Sequence, residues 1–380
     1  MPWRTIKVED LRKKFLNHVR KNGNISEACR EFEITRRTGY KWLSREASGE
    51  ELSDKSRRPN RIANRTDAET EGLILSVRYA NPSWGGRMIY DYLVKQGHVQ
   101  LPCPRTCCNI LSRNGCIQPS ESSKHKPYQR FEREHCNELW QTDFKGDFLL
   151  LDKSRCYPLT ILDDCTRYSI MIDCKLDTRG VRDSFEQAFY KYGLPDSILS
   201  DNGWQFAGFK GGYTGFERWL MEHDVLPIHG RANHPQTQGK IERFHRTMKD
   251  EFLKHHQFKN IHELREMMEQ WRIKYNENRP HLALNSRSPG EIYTPSKREY
   301  SSKILEYTYD GHVRKVNNWG YLRFDKWKIY LSETMANTIL EVSESIAGDT
   351  FNVYFRNFKI AEIDAHEGKL KNRKVTRCRE

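Results

Sequence analysis

Apolar residues recur every three or four positions in the first part of the chain, as in amphipathic helices. This spacing predicts a helix from Val8 to Val19. Two shorter helices should follow, one over Glu27–Phe32 after a Ser26 cap and one from a Thr35 cap to Leu43. Three short helices with tight turns are typical of a helix–turn–helix unit. The third helix carries side chains that suit a DNA major groove, although a solvated basic helix is the alternative: Arg36, Arg37, Tyr40 and Lys41.

A second helical unit is predicted over residues 66–118, after the first unit at residues 1–48. Its helices should span Asp67–Arg78, Gly86–Gln96 and Pro104–Arg113. We expect it to be a further helix-turn-helix-like DNA-binding domain. Residues 49–65 and 119–135 are polar and basic and read as linkers.

From residue 136 to 298 the pattern changes to apolar-rich strands alternating with helices. The predicted order is three strands, a helix, a strand, a helix, a strand and two helices: Leu139–Leu151, Tyr157–Leu162, Tyr168–Cys174, Thr178–Tyr192, Ser197–Ser200, Phe216–His223, Val225–His229, Gln238–Phe252 and Ile261–Tyr275. This order predicts an RNase H-like α/β fold. Six short strands between Val313 and Ala361 then predict a small β-barrel at residues 299–366, followed by a mobile basic tail at 367–380.

Composition narrows the choice of partner. Lys and Arg number 64 against 51 Asp and Glu, a formal charge of +13, which favours a polyanion. No apolar run approaches the length of a membrane span, and the first residues lack the apolar core of a secretion signal. We therefore expect a cytoplasmic protein with no membrane partner. Cys103, Cys107, Cys108 and Cys116 lack zinc-site spacing and should be reduced, buried thiols.

Three acidic residues stand where the predicted elements can bring them together. Asp143 and Asp201 occur where strand-like runs break into polar turns, and Glu242 lies on a helix. Each alone could be an ordinary turn or surface carboxylate, so the joint pattern carries the interpretation. Carboxylates converging from two strands and a helix can bind a pair of hard cations. Such a pair clamps the attacking and leaving oxygens of a phosphoryl transfer.

The motifs around these acids resemble those of the DDE transposases of bacterial insertion sequences, which are relatives of retroviral integrases. They are Leu-Trp-Gln-Thr-Asp ending at Asp143, Ser-Asp-Asn-Gly around Asp201, Pro-Gln-Thr-Gln-Gly-Lys-Ile-Glu-Arg-Phe-His-Arg-Thr around Glu242, and Tyr-Asn-Glu-Asn-Arg-Pro-His from Tyr275. The resemblance implies an RNase H-like catalytic core in which the three acids hold two Mg²⁺ ions, with Mn²⁺ able to substitute. It also implies a transposase that binds terminal inverted repeats, cleaves at the element ends and joins the 3′-ends to target DNA.

One departure from the family pattern is the long interval between the second and third acids. Forty residues lie between Asp201 and Glu242, and the Gly-rich segment Ala207–Gly215 looks like an insertion. We expect it to lengthen a loop without moving the acids.

Several residues near the acids are candidates for DNA contacts. Arg246 and Lys249 lie four and seven positions after Glu242, on the same helix face. Further candidates flank this face or line the cleft: Asn202, His234, Gln236, Lys240, Arg243 and His245. A solvated helix face is the alternative for the helical ones.

Other functions remain open from the sequence. A phage- or retroviral-type integrase would lack part of the excision activity, and a DNA-binding regulator would carry an inactive core. A plain RNase H fits poorly with two N-terminal DNA-binding units. The expected partner is double-stranded DNA, and because two ends must be held together, we expect at least a homodimer on DNA.

Overall fold

The computed structural model describes residues 8–55, 65–117, 133–208, 212–230, 239–345 and 348–378. Its contacts divide the chain into two compact units, Met1–Arg65 and Thr66–Glu380. No helix in these ranges is long and apolar enough to cross a membrane. The finer domain boundaries remain predictions.

The first unit is the predicted three-helix arrangement: α1 (Val8–Asn22), α2 (Ile25–Glu31) and α3 (Arg36–Ala47). Phe15, Leu16 and Trp42 are buried at its centre. At Gly39 in α3, a Cβ atom would lie 2.6 Å from Cys29 Sγ of α2, so only glycine permits this close packing. Thr35 caps α3 as predicted, but α2 is capped by Asn24 and not by Ser26. The Asn24 side chain accepts bonds from two backbone N–H groups.

The second unit begins with α4 (Ala68–Ala80), α5 (Gly86–Lys95) and α6 (Pro104–Arg113). These helices have a hydrophobic core of their own, in which Ile74, Ile89 and Ile110 are fully buried. They also contact the end of the last helix of the α/β core, because Lys95 Nζ donates to the Glu277 carbonyl at 2.9 Å.

The central region is a mixed sheet with helices on both faces. Its elements are β1 (Trp140–Phe144), β2 (Phe148–Leu149), β3 (Arg155–Asp163), β4 (Ser169–Lys175), α7 (Val181–Tyr192), β5 (Ser197–Ser200), α8 (Gly215–Glu222), β6 (Leu226–His229), α9 (Gly239–Glu251) and α10 (Ile261–Glu277). The strand order is β2-β3-β1-β5-β6, with β4 also paired to β3. The predicted first strand is therefore two strands, separated by a turn in which Gly146 has a φ of 87°.

Alternation along β3 explains the layers. Leu159 and Ile161 pack against the cluster that contains Phe185 of α7 and Trp219 of α8. Leu162 joins the opposite cluster with Phe244 of α9. The sheet is thus buried on both faces. The predicted acids Asp143 and Asp201 lie where the strands β1 and β5 end.

The C-terminal region has eight strands in the residues described: β7 (Val313–Lys315), β8 (Tyr321–Phe324), β9 (Trp327–Tyr330), β10 (Ile339–Glu344), β11 (Thr350–Phe355), β12 (Phe358–Asp364), β13 (Leu370–Asn372) and β14 (Thr376–Arg377). Single 3₁₀ turns complete the second unit at Leu253–His255, Leu282–Leu284, Pro289–Glu291 and Glu333–Met335. The predicted β-barrel is not confirmed, because β13-β12-β11-β10-β7 form an open sheet and β8-β9 a separate hairpin.

The predicted mobile tail is instead part of this sheet. Strands β13 and β14 both pair with β12. The guanidinium of Arg377 also bonds Asp224 at 2.7 Å, on the loop between α8 and β6. The tail is therefore held by strand pairing, which its basic composition alone does not predict.

The Gly-rich insertion also makes tertiary contacts that were not predicted. Tyr213 is buried in the hydrophobic core of the C-terminal sheet. Its backbone N–H donates to Ser332 Oγ at 3.1 Å, and its hydroxyl donates to the Ile360 carbonyl. The insertion therefore joins the α/β core to the C-terminal sheet.

Candidate active site

The pairing of β1 with β5 places the first two acids side by side. The strands are parallel, with Trp140 opposite Ile198 and Gln141 opposite Leu199. Extending this register by two residues brings Asp143 level with Asp201. Parallel strands present their carboxyl ends at one edge of a sheet, which is where open α/β folds usually build sites.

Asp201 is held by bonds on both sides of it in the chain. The Gly230 backbone N–H donates to the Ser200 carbonyl at 3.0 Å, and Asn202 Nδ2 donates to the Gly230 carbonyl at 3.0 Å. Oδ1 of Asp201 itself accepts from the Gly203 backbone at 3.0 Å. The end of β6 therefore fixes the residues before and after the second acid.

Glu242 lies in the first turn of α9 and is exposed. The opposite face of this helix is apolar, since Ile241, Phe244 and Met248 are buried. The Ile241 backbone N–H donates to Gln141 Oε1 at 3.3 Å. The start of α9 is thereby attached to β1, two residues before Asp143.

The charges of Asp201 and Glu242 both act on the carboxyl group of Asp143. Burial, followed by the negative charges of Asp201 and then Glu242, raises the pKa of Asp143 to about 7. A cation brought between these groups would relieve their repulsion. Carboxylate oxygens are the ligands that Mg²⁺ and Mn²⁺ prefer, so the donor types fit these metals.

The acids do not form a closed metal cage. Within the described ranges, no three His, Cys, Asp or Glu side chains are placed so that they could hold a metal ion together. Mg²⁺ is commonly held by one or two carboxylates, with water and substrate phosphate in its other positions. An open cluster at a sheet edge accords with that mode of binding.

His245, predicted as a DNA contact, is turned toward the protein interior. Its ring is buried, and Nε2 lies 2.7 Å from Thr160 Oγ1. Burial, with a smaller effect of Lys145, lowers the pKa of His245 to about 3, so the ring is neutral. Its Nδ1 approaches Asp143 Oδ2 at 3.8 Å, which is too long for a hydrogen bond and, with a neutral ring, is not an ion pair. The geometry supports a packing role beside Asp143 and not a phosphate contact.

Lys240, a second predicted DNA contact, is also engaged internally. Its ammonium lies 2.5 Å from Oδ2 of Asp164, whose side chain is fully buried. Gln141 Nε2 donates to the other oxygen of Asp164 at 2.7 Å. Lys240 thus fastens the start of α9 to the turn after β3.

The other predicted contacts of α9 do face outward: Arg243, Arg246 and Lys249 are exposed. Burial and the charge of Lys249 lower the pKa of Lys145, which places these two lysines near each other beside Asp143. The side-chain amide of Asn202 already donates one hydrogen bond, to the Gly230 carbonyl. His234 and Gln236 lie outside the described residues.

In the first unit, the four side chains predicted to read DNA lie on the outside of α3. Arg36, Arg37, Tyr40 and Lys41 are all exposed, whereas Trp42 turns into the core. The outer face of α3 is therefore basic and exposed, as contact with DNA would require.

Sequence reasoning missed the residues that support the acids. Gln141 lies inside the first motif, but Thr160, Asp164 and Glu217 lie in stretches with no motif. Their contacts arise only when β3, α8 and α9 meet. The one signal in the sequence was at Asp164, an acidic residue directly after an apolar strand. In the structure its side chain is buried, as a charged group rarely is unless it is paired.

Comparison with protein families agrees with this geometry. Residues 133–235 match a family described as integrase core domain, and residues 223–289 match a second family of the same description. Residues 11–60 match a helix-turn-helix domain. The predicted N-terminal unit and RNase H-like core are thereby confirmed.

Two similar proteins come from bacterial insertion elements. One is a 31.7 kDa protein of element IS407 of Burkholderia multivorans, 31% identical over 158 residues, or 41% of this chain and 55% of that protein. The other is a 39.2 kDa protein of element IS476 of Xanthomonas euvesicatoria, 30% identical over 173 residues, or 45% of this chain and 48% of that protein. The chain thus spans about half the length of these relatives.

Solved structures with some likeness include an HTLV-2 integrase catalytic core domain in complex with magnesium. It is 16% identical with a TM-score of 0.32, covering 41% of this chain and 95% of that one. A chain of the simian T-cell lymphotropic virus intasome is 12% identical with a TM-score of 0.37, covering 81% and 98%. Both TM-scores are low. On the sequence matches, this chain carries an integrase core domain and a helix-turn-helix domain, and it is similar to proteins of bacterial insertion elements.

Proposed function

We propose that the chain is a DNA transposase that binds the terminal inverted repeats of an insertion sequence, cleaves at the element ends and joins the 3′-ends to target DNA. The observation that supports this proposal is the parallel pairing of β1 with β5, which directs Asp143 and Asp201 to the same end of the sheet, together with the effect of the Asp201 and Glu242 charges on the pKa of Asp143. Such a cluster is costly unless cations occupy it.

The proposed chemistry is two-metal phosphoryl transfer. Mg²⁺ or Mn²⁺ held by Asp143, Asp201 and Glu242 would supply activation of the attacking hydroxyl and stabilisation of the leaving oxygen. The protein's own part is positional. The paired strands direct Asp143 and Asp201 to one end of the sheet, and Glu242 is exposed in the first turn of α9. A phosphodiester would bind over the acids, and no Ser, Cys or Tyr nucleophile is required.

DNA would be held by two kinds of surface. The exposed side chains of α3 would read bases in a major groove. The exposed Arg243, Arg246 and Lys249 would hold the backbone beside the acids, without regard to sequence. Two ends must be joined in one reaction, so we infer at least a homodimer on DNA, acting at the nucleoid of a bacterial cytoplasm.

The test is a cleavage and joining assay with a duplex that carries one element end. We expect Mg²⁺-dependent cleavage at the end and joined products with target DNA, both absent with a scrambled duplex or with Asp201→Asn. Joining of pre-cut ends without cleavage would favour a retroviral- or phage-type integrase. Binding without either reaction would identify a DNA-binding regulator. Short inverted repeats that bracket the reading frame would support the transposase independently.

A further inference from the structure

A second group of polar side chains begins at Ser200, the residue before Asp201 in the chain. Oγ of Ser200 is 3.1 Å from Nδ1 of His229, and Nε2 of His229 is 2.8 Å from Oε1 of Glu217. We call these residues the polar triad. Ser200 ends β5 and His229 ends β6, while Glu217 lies in the first turn of α8. Three elements therefore meet through side chains immediately before the second acid.

The far end of the polar triad is firmly anchored. Oε2 of Glu217 accepts from the Thr214 backbone N–H at 2.7 Å, and the Thr214 side chain accepts from the Glu217 backbone at 3.1 Å. This is a capping box at the start of α8. Because Glu217 is buried, solvent does not compete for these bonds.

The direction of one bond follows from the donor inventory. A carboxylate only accepts, so His229 Nε2 carries the hydrogen and donates to Glu217. Nδ1 of the same ring and the Ser200 hydroxyl form the second bond, at 3.1 Å. Glu217 is thereby linked through His229 to the Ser200 side chain, one residue before Asp201.

A Ser, His and Glu in series also resembles a nucleophilic triad, but burial argues against that role. Ser200 is 3% exposed and lies inside the sheet, where no substrate can reach its hydroxyl. Its backbone carbonyl is bonded to Gly230 as well. The serine is therefore a fixed support and not an attacking group.

We propose that His229 and Glu217 are positioning residues that hold Asp201 in place, and so set how tightly the acid cluster binds a divalent cation. This inference rests on the proposed function. Partners that bond or support a metal-binding group typically change metal affinity or activity by about 10- to 100-fold when they are removed. The polar triad acts through Ser200 and touches neither metal nor DNA.

The experiment uses the full chain with two substitutions of His229. In His229→Gln, the longer side chain can still reach Glu217 but not Ser200. In His229→Asn, the shorter side chain keeps its amide near the position of Nδ1 and can still accept from Ser200. His223→Gln is the matched control, because both ring nitrogens of His223 also lie within hydrogen-bond distance of polar partners in this region, the carbonyls of Trp219 and Ser301.

The primary measurement is the rise in melting temperature as Mn²⁺ or Mg²⁺ is added without DNA, with Asp201→Asn defining the signal from this site. We expect His229→Gln to require about tenfold more metal for the half-maximal rise. His229→Asn should lie closer to the wild type, and His223→Gln should match it. End cleavage should show the same order in its metal requirement, while DNA binding in EDTA stays unchanged.

Three outcomes would overturn the inference. The first is an unchanged metal requirement in His229→Gln, and the second is a loss of melting temperature in EDTA that accounts for the whole effect, which would mean a purely structural role. The third is a wild-type chain whose melting temperature does not rise with metal. By contrast, a wild-type chain that binds metal but does not cleave end DNA would overturn only the proposed function.

Discussion

The ammonium of Lys240 lies 2.5 Å from Oδ2 of Asp164, and this ion pair joins α9, which carries Glu242, to the turn after β3. Lys240 precedes Glu242 by two residues on α9. Asp164 also accepts from Gln141, which precedes Asp143 by two residues on β1. A buried pair of this kind fixes the separation of two acids that are distant in sequence.

We predict that Lys240→Met destabilises the second unit by about 3–5 kcal/mol, because it leaves the buried Asp164 carboxylate without its cation. Urea unfolding followed by tryptophan fluorescence measures the change. Adding Asp164→Asn to Lys240→Met should restore part of the loss, since the uncompensated charge is then gone.

Arg179→Met is the control for Lys240→Met. Arg179 pairs with Asp177, and both side chains are well exposed, at 79% and 53%. Exposed pairs contribute about 0–1 kcal/mol. If Lys240→Met cost no more than Arg179→Met, the Lys240–Asp164 pair would not hold α9 in place.

We predict that Asp143→Asn, Asp201→Asn and Glu242→Gln each abolish end cleavage and strand transfer but spare DNA binding. Loss of one carboxylate from a two-metal clamp removes several kcal/mol of transition-state stabilisation, or roughly a thousandfold in rate. Rates with Mg²⁺ and mobility shifts in EDTA separate the two effects. Glu266→Gln, an exposed acid on α10, is the control. Near-wild-type cleavage by any of the three variants would remove that residue from the site.

We predict that Arg37→Ala relaxes sequence preference, at a cost of about 1–3 kcal/mol for terminal-repeat DNA if Arg37 reads a base. Arg37 is exposed on α3. Competition between repeat and random duplexes measures the preference, and Lys21→Ala, exposed on α1, removes the same charge elsewhere in the unit. A segment from Met1 to about Arg130 should retain the preference of the full chain. Equal binding of repeat and random DNA by that segment would place the specificity in another part.

Much of this architecture could be predicted from local pattern. The helices of the first unit and the order of strands and helices in the core follow apolar periodicity and caps, as at Thr35. The three acids were identifiable because each lies in a recognisable motif. Pro104–Arg113 and Ser197–Ser200 were predicted to the residue.

The contacts that support the acids could not be predicted in the same way. Lys240 and His245 look like solvent-facing basic residues of α9 until Asp164 and Thr160 are placed beside them. Tyr213 looks like part of a loop insertion, yet it is buried among residues more distant in sequence. These roles depend on tertiary packing, to which periodicity along one segment is blind.

The exposed face of α9 leads to a last prediction. Arg246 and Lys249 lie on the same side of the helix as Glu242, and all three are exposed, while Phe244 and Met248 fill the opposite side. Lys249 also lies near Lys145, and two neighbouring cations favour a phosphate group between them. We expect both α9 residues to contact the backbone of DNA that enters the site.

Replacing Arg246 and Lys249 together with Ala should weaken binding of end and random duplexes alike, because backbone contacts do not depend on sequence. Because the variant makes fewer phosphate contacts, its binding releases fewer counterions from DNA. The slope of log K against log salt should therefore flatten by about 1–2. Metal-dependent stabilisation should survive, since neither side chain is an oxygen ligand. The control, Lys259→Ala with Lys297→Ala, removes the same charge from exposed positions elsewhere in the second unit. If the α9 pair and this control pair changed the slope equally, net charge would explain the effect and this face of α9 would be merely solvated.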